Sequence, residues 1–141
     1  MFGPFALTVA ALFTGAAIYI NWAEQPARLS LDDASMLAEW KPSYDRGLQM
    51  QLSLVVIGSI LGILEWLVTG KVIWLAGGAA LLANWPFTIF AIMPVNRALE
   101  ETPLERANEE TRALMQRWGM LHGVRSALGV ISLGLFLWAS I

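Results

Sequence analysis

Apolar residues along this chain collect into four long runs, about Pro4 to Trp22, Leu48 to Thr69, Val72 to Met93 and Trp118 to Ile141, with the polar residues concentrated between them. Each run is near the roughly 20 residues that carry an α-helix across ~30 Å of hydrocarbon. None alternates with a period of two, and backbone groups in lipid must find partners within the protein, so helices are expected rather than a barrel. The pattern predicts an all-α, integral membrane four-helix bundle, with residues 1–141 as a single four-span domain. The first run is rich in Ala and Gly, but no Lys or Arg precedes it. A retained helix is expected there, not a cleaved signal.

Between the runs lie two polar segments, Ala23 to Gly47 and Pro94 to Arg117, and one tight turn at Gly70-Lys71. An even number of spans puts both segments on one side and the termini with the turn on the other. The segments hold Arg28, Lys41, Arg46, Arg97, Arg106, Arg112 and Arg117, against Lys71 alone on the other side. That excess predicts a multi-pass protein of the cell inner membrane with its long loops cytoplasmic and its termini outside. Pro26 and Pro94 fall where the chain should leave the bilayer, and Pro86, inside the third run, is expected to kink it by freeing the Leu82 carbonyl. Beyond Pro103, Leu104, Ala107, Leu114 and Trp118 are spaced among charges as in a short amphipathic helix leading into the last span.

Composition narrows the chemistry. The chain is 57% hydrophobic and 14% charged, with a mean hydropathy of +0.58, too apolar for an ordinary soluble domain. The absence of cysteine excludes disulfides, thiolate nucleophiles, iron–sulfur ligation and Cys-based zinc sites, and a single histidine excludes bis-histidine haem and HExxH zinc. No cofactor and no metal are expected. A net charge of -2 without a basic stripe leaves no footprint for nucleic acid.

What polarity there is gathers at one end of the bundle. His122 stands one turn from Arg125 and one turn from Trp118, and with Gly129 and Ser132 these form one stripe at ~100° per residue. The first helix aligns Thr14, Ala17, Asn21 and Glu24, continued by Arg28 if Pro26 does not end it; the second aligns Arg46, Met50 and Ser53; the third carries Asn84, Thr88 and Asn96. Topology alone brings Asn21, Glu24, Arg46, Asn96, His122 and Arg125 to the same end, where they would line a polar pocket roofed by Trp22, Trp40, Tyr44 and Trp118. Ionisable groups within spans are functional-site candidates by default. Structural roles compete with that reading: Arg125 could snorkel to the headgroups or pair with Glu24, and His122 could be a hydrogen-bonded structural residue. Glu65, beside Trp66 at the opposite end, is expected to be a solvated interfacial carboxylate. Gly58 with Gly62, and Gly119 with Gly123, permit close helix approach.

The segments NWAEQPARL from Asn21, WKPSYDRGLQMQ from Trp40, IMPVNRAL from Ile92 and WGMLHGVRSALG from Trp118 resemble the anthrone oxygenase-like family of four-helix membrane proteins, a family labelled as a domain of unknown function in most bacterial members. Fungal members resemble enzymes that oxidise an anthrone to an anthraquinone without metal or organic cofactor. The resemblance implies an oxidoreductase whose partners are a lipophilic aromatic molecule and molecular oxygen. His122 would be the base, because its ordinary pKa lies near neutrality. Arg125 or Arg46 would stabilise the enolate oxygen, Asn21 or Asn96 would orient the substrate, and Trp118, Trp40 and Tyr44 would stack on it. The competing reading is a noncatalytic membrane protein that binds a lipophilic ligand or packs against other subunits, homo-oligomers included. A transporter is a third option. An enzyme should hold a cavity of roughly 300 Å³ or more around His122 and Arg125.

Overall fold

The computed structural model describes residues 1–141. Four helical rods account for nearly all of them: α1 Gly3–Leu29, α2 Asp33–Thr69, α3 Val72–Glu101 and α4 Glu109–Ser140, each long and apolar enough to cross a membrane. Each rod packs on the two beside it and hardly touches the one diagonally opposite, giving an up-down-up-down ring. The connections are short. Between α2 and α3, Gly70 takes φ 69°, a left-handed cap that a side chain would strain, and its N–H bonds the Trp66 carbonyl.

The polar segments are therefore helices, not long loops. Asp32 caps α2 by accepting from the Ser35 N–H at 2.9 Å, which starts that rod well ahead of the apolar run. Asn108 and Thr111 form a reciprocal capping box at the head of α4. The amphipathic lead-in is accordingly the first turns of α4, preceded only by a 3-10 turn at Leu104–Arg106. Arg112 holds this collar together, donating to Asp33 at 2.6 Å and to the Leu29 and Leu31 carbonyls, while Lys41 donates to the carbonyls of Glu100 and Thr102.

The prolines expected to mark helix exits lie inside helices. A proline ring in a helix collides with the carbonyl four residues back and supplies no N–H. Ahead of Pro26 the backbone widens into a π turn, Ile20–Glu24, in which the Gln25 N–H reaches back to the Ile20 carbonyl. The same device, Thr88–Ile92 with the Met93 N–H on the Thr88 carbonyl, precedes Pro94. The wider turn accommodates the ring and lets α1 and α3 continue. The interruption expected from Pro86 falls at Ala83, where the Asn84 side chain donates to the Leu81 carbonyl at 2.9 Å.

At the end bearing the Gly70 turn, Phe136 packs with Trp74, Phe13 and a column of alanines. Gly62 and Gly77 make room for it: a Cβ at Gly77 would stand 2.5 Å from the Phe136 ring. Glu65 is buried here rather than solvated, accepting from the Met1 amino group at 2.8 Å and from the N–H groups of Phe2 and Gly3. Its carboxylate meets the otherwise unpaired donors at the head of α1. A second cluster, built on Trp40, Met115, Leu99 and Trp118, fills the far end. Counting about 20 residues (~30 Å) along each rod from the Gly70 end reaches Ala23, Gln49, Ile92 and Met120. The hydrocarbon boundary thus falls between the two clusters, and the rods extend beyond it.

Candidate functional site

At that boundary the four rods bring their polar stripes together. The π turn carries Asn21 to His122. Its Oδ1 accepts from His122 Nδ1 at 2.8 Å and from the Ser126 hydroxyl at 2.8 Å, while its Nδ2 donates to the Gly119 carbonyl at 2.9 Å. The carbonyl acceptor decides the orientation of the amide, and the amide decides the tautomer: in the neutral ring Nδ1 carries the proton and Nε2 keeps its lone pair. Nε2 has no partner in the protein, and the ring lines a cleft shared by all four rods.

The remaining walls are held by a second chain of bonds. Trp118 Nε1 donates to Asn96 Oδ1 at 2.9 Å, and Asn96 Nδ2 donates to the Tyr44 hydroxyl at 3.1 Å, which leaves the Tyr44 proton free to point elsewhere. Tyr44 stacks on Trp40 with ring centroids 4.7 Å apart, and Trp118 stacks on His122 at 5.1 Å. The buried Arg28, which also lines the cleft, lies 5.5 Å over the Trp118 indole ring. It pairs with Glu24 at 2.6 Å and with Glu39, and it donates to Gln25.

Arg125 has no such partners. It is 5% exposed, its guanidinium faces the Phe13 ring at 5.8 Å, and its Nε and Nη2 are buried without any hydrogen bond. Gln51, on the diagonally opposite rod α2, lines the same cleft, 1% exposed and with both amide atoms unpaired. Arg125 therefore neither snorkels nor pairs with Glu24, whose carboxylate goes to Arg28.

Of the residues expected at the site, Glu24, Tyr44, Asn96, Trp118, His122 and Arg125 line the cleft, and Asn21 clamps His122 from its edge. Arg46 does not take part; it is exposed, on the far side of α2 from Gln51. Trp40 supports Tyr44 from behind rather than roofing the space, and Trp22 faces away, 84% exposed. The inward face of α2 runs Tyr44, Gln51, Gly58, Glu65 at intervals of seven, a signal that would have pointed to Gln51 in place of Arg46. Half-exposed Ile20, Glu24, Tyr44, Gly47 and Leu48 place the mouth between α1 and α2, with α3 and α4 as the back wall. The cleft holds ≈ 390 Å³ of space open on that side, but only ≈ 30 Å³ is wide enough for a water molecule, room for about two waters. This falls short of the enclosed cavity of roughly 300 Å³ expected of an enzyme, so a flat polycycle enters only if rim side chains move.

Comparison with known proteins bears on the same stretch. A family model described as anthrone oxygenase matches residues 40–135, more than half of the chain. The chain belongs to the anthrone oxygenase family. The matched region includes Tyr44, Gln51, Asn96, Trp118, His122 and Arg125, and Asn21 and Glu24 lie outside it. An anthrone oxygenase of Claviceps purpurea (strain 20.1) is 40% identical over 62 residues, which take in 38% of this chain and 36% of the relative's length. No solved structure matches the chain. Sequence and architecture together make it a four-helix membrane protein of this family.

Proposed function

We propose that this protein is a cofactor-independent oxygenase that converts an anthrone-type aromatic to a quinone with molecular oxygen. The observation that carries the proposal is the clamped imidazole of His122, its Nε2 lone pair turned to a cleft that also holds an unpaired guanidinium. The methylene carbon of an anthrone is acidic because its carbanion delocalises as an enolate. His122 Nε2 removes that proton, and Arg125 favours the charge that develops on the enolate oxygen. The electron-rich carbon then reacts with oxygen to give a peroxide anion that takes back the proton from His122, and the hydroperoxide loses its C–H hydrogen together with its terminal OH as water and becomes a carbonyl. One oxygen molecule is consumed and one water formed, with no outside reductant.

The position of the mouth at the edge of the hydrocarbon suits a lipophilic substrate delivered from the bilayer. The Lys and Arg excess in the collar supports its placement on the cytoplasmic face of the inner membrane. A second reading, a noncatalytic protein that binds a lipophilic ligand, is favoured by the narrowness of the cleft. The two separate in one assay. Purified protein in detergent, given an anthrone in air, should take up oxygen and form quinone in equal amounts well above the spontaneous rate; binding of the anthrone without acceleration would leave the noncatalytic reading.

A further inference from the structure

Eight buried side-chain atoms of this protein lack any hydrogen-bond partner, and four of them belong to Arg125 on α4 and Gln51 on α2, which line the same narrow cleft from diagonally opposite rods. A guanidinium is charged at any pH the protein meets. Left unpaired at this depth it is among the costliest arrangements a membrane protein can hold, and buried polar atoms without partners call for a ligand or water. The carboxylates flanking the cleft, Glu24 and Glu39, are both committed to Arg28. The neighbouring layer offers no anion either. On α3 and α4 the Ser132 hydroxyl donates to the Gly77 carbonyl at 2.8 Å. Seven residues from each, two helical turns on the same faces, stand Arg125 and Asn84, whose Oδ1 is itself unpaired.

We infer that Arg125 and Gln51 form a binding site for a single anionic oxygen carried on a flat apolar body. Arg125 supplies the one positive charge of the lining that no carboxylate pairs, since Arg28 is held by Glu24 and Glu39. Gln51 Nε2 supplies a neutral donor, and the free Tyr44 proton a third. Of the other polar lining groups, Glu24 and Arg28 are paired with each other and Asn96 is bonded to Tyr44 and Trp118; Phe13 lies under the guanidinium, Ile92 and Leu48 line the walls, and the Trp118–His122 stack offers a ring face. One charge matches a singly charged oxyanion, and the rings match a planar body. The proposal rests on the cleft being a ligand site, as above, but not on the oxidation, and Gln51 takes the place the sequence pattern gave to Arg46.

Two probes of one shape test this on the full chain in detergent: anthracene-9-carboxylate, ionised at pH 8, and the neutral anthracene-9-methanol, each titrated against tryptophan fluorescence. The wild-type protein should bind the carboxylate at least tenfold more tightly. Gln51→Leu should weaken the carboxylate about tenfold and leave the alcohol nearly unchanged, and Arg125→Gln should abolish the preference. Gln51→Glu, which offers Arg125 a carboxylate of the protein's own, should exclude the anionic probe. Equal affinity of the two probes for the wild-type protein overturns the inference whatever the variants do, as does a preference that survives Arg125→Gln. Oxygen uptake with an anthrone is measured separately, so anion selectivity without turnover removes only the oxygenase reading, and turnover without selectivity removes only this one.

Discussion

A neutral imidazole can carry its proton on either nitrogen, and in water the two forms exchange freely; Asn21 removes that freedom from His122. The acceptor on one side of its amide is fixed by the donor on the other, so a carbonyl at Gly119 ultimately decides which ring nitrogen is basic. Asn21→Leu should keep His122 in place yet lower turnover roughly tenfold to a hundredfold, the equivalent of about 1–3 kcal/mol for a buried group left unpaired, with Asn21→Asp, which keeps the acceptor, losing less; steady-state quinone formation checks it. At this scale much of the site was legible. His122, Arg125, Asn21 and Asn96 follow from helical spacing and the direction of each span. Gln51 was not, because Arg46, Met50 and Ser53 also share a stripe and charge drew attention to the wrong side of the helix. Only packing reveals which of two polar faces turns inward, and here the neighbouring Gly58 was the better guide. The burial of Glu65 is illegible for a related reason: a carboxylate beside a tryptophan belt is ordinarily solvated, and the donors that bury this one, at Met1, Phe2 and Gly3, lie far away in sequence.

Among the elements, the rods were predictable and their ends were not. Hydropathy marks the part of a helix that lies in lipid, but α2 and α4 continue into the collar through caps at Asp32 and Asn108 and through ties such as Arg112, which hydropathy does not register. Pro26 and Pro94 read as exits in the sequence, because a proline usually ends the helix pattern before it. Each is instead accommodated by a π turn, and the first of these turns is the element that presents Asn21. Helix packing at the other end depends on glycine. Gly77→Val should destabilise the bundle by about 1–3 kcal/mol through collision with Phe136, and Phe136→Leu in the same chain should recover part of the loss. Gly15, with nothing within 4 Å of a Cβ, supplies the contrast: Gly15→Ala should be neutral or stabilise by about 0.5–1 kcal/mol. Thermal unfolding in detergent, followed by circular dichroism, separates the two sites.

For the whole molecule, the fold class was readable from four apolar runs and the family from the residues around them, whereas the narrowness of the cleft was not, since composition does not report how closely side chains fill a space. The distribution of Lys and Arg predicts a sidedness that can be measured cleanly in a chain that has no cysteine. A single cysteine in place of Ser30 or Glu105 should react with an impermeant thiol reagent only from the cytoplasmic face, and one in place of Lys71 only from the outside; the reverse pattern would invert the bundle. Either orientation leaves His122 near one edge of the hydrocarbon, within reach of a molecule dissolved in the bilayer. The most direct test of the account is the rate of quinone formation by His122→Gln, which keeps hydrogen-bonding capacity but has no basic nitrogen. If Nε2 is the base, turnover falls at least about a hundredfold with helix content and elution unchanged; a folded variant that turns over at the wild-type rate contradicts the account.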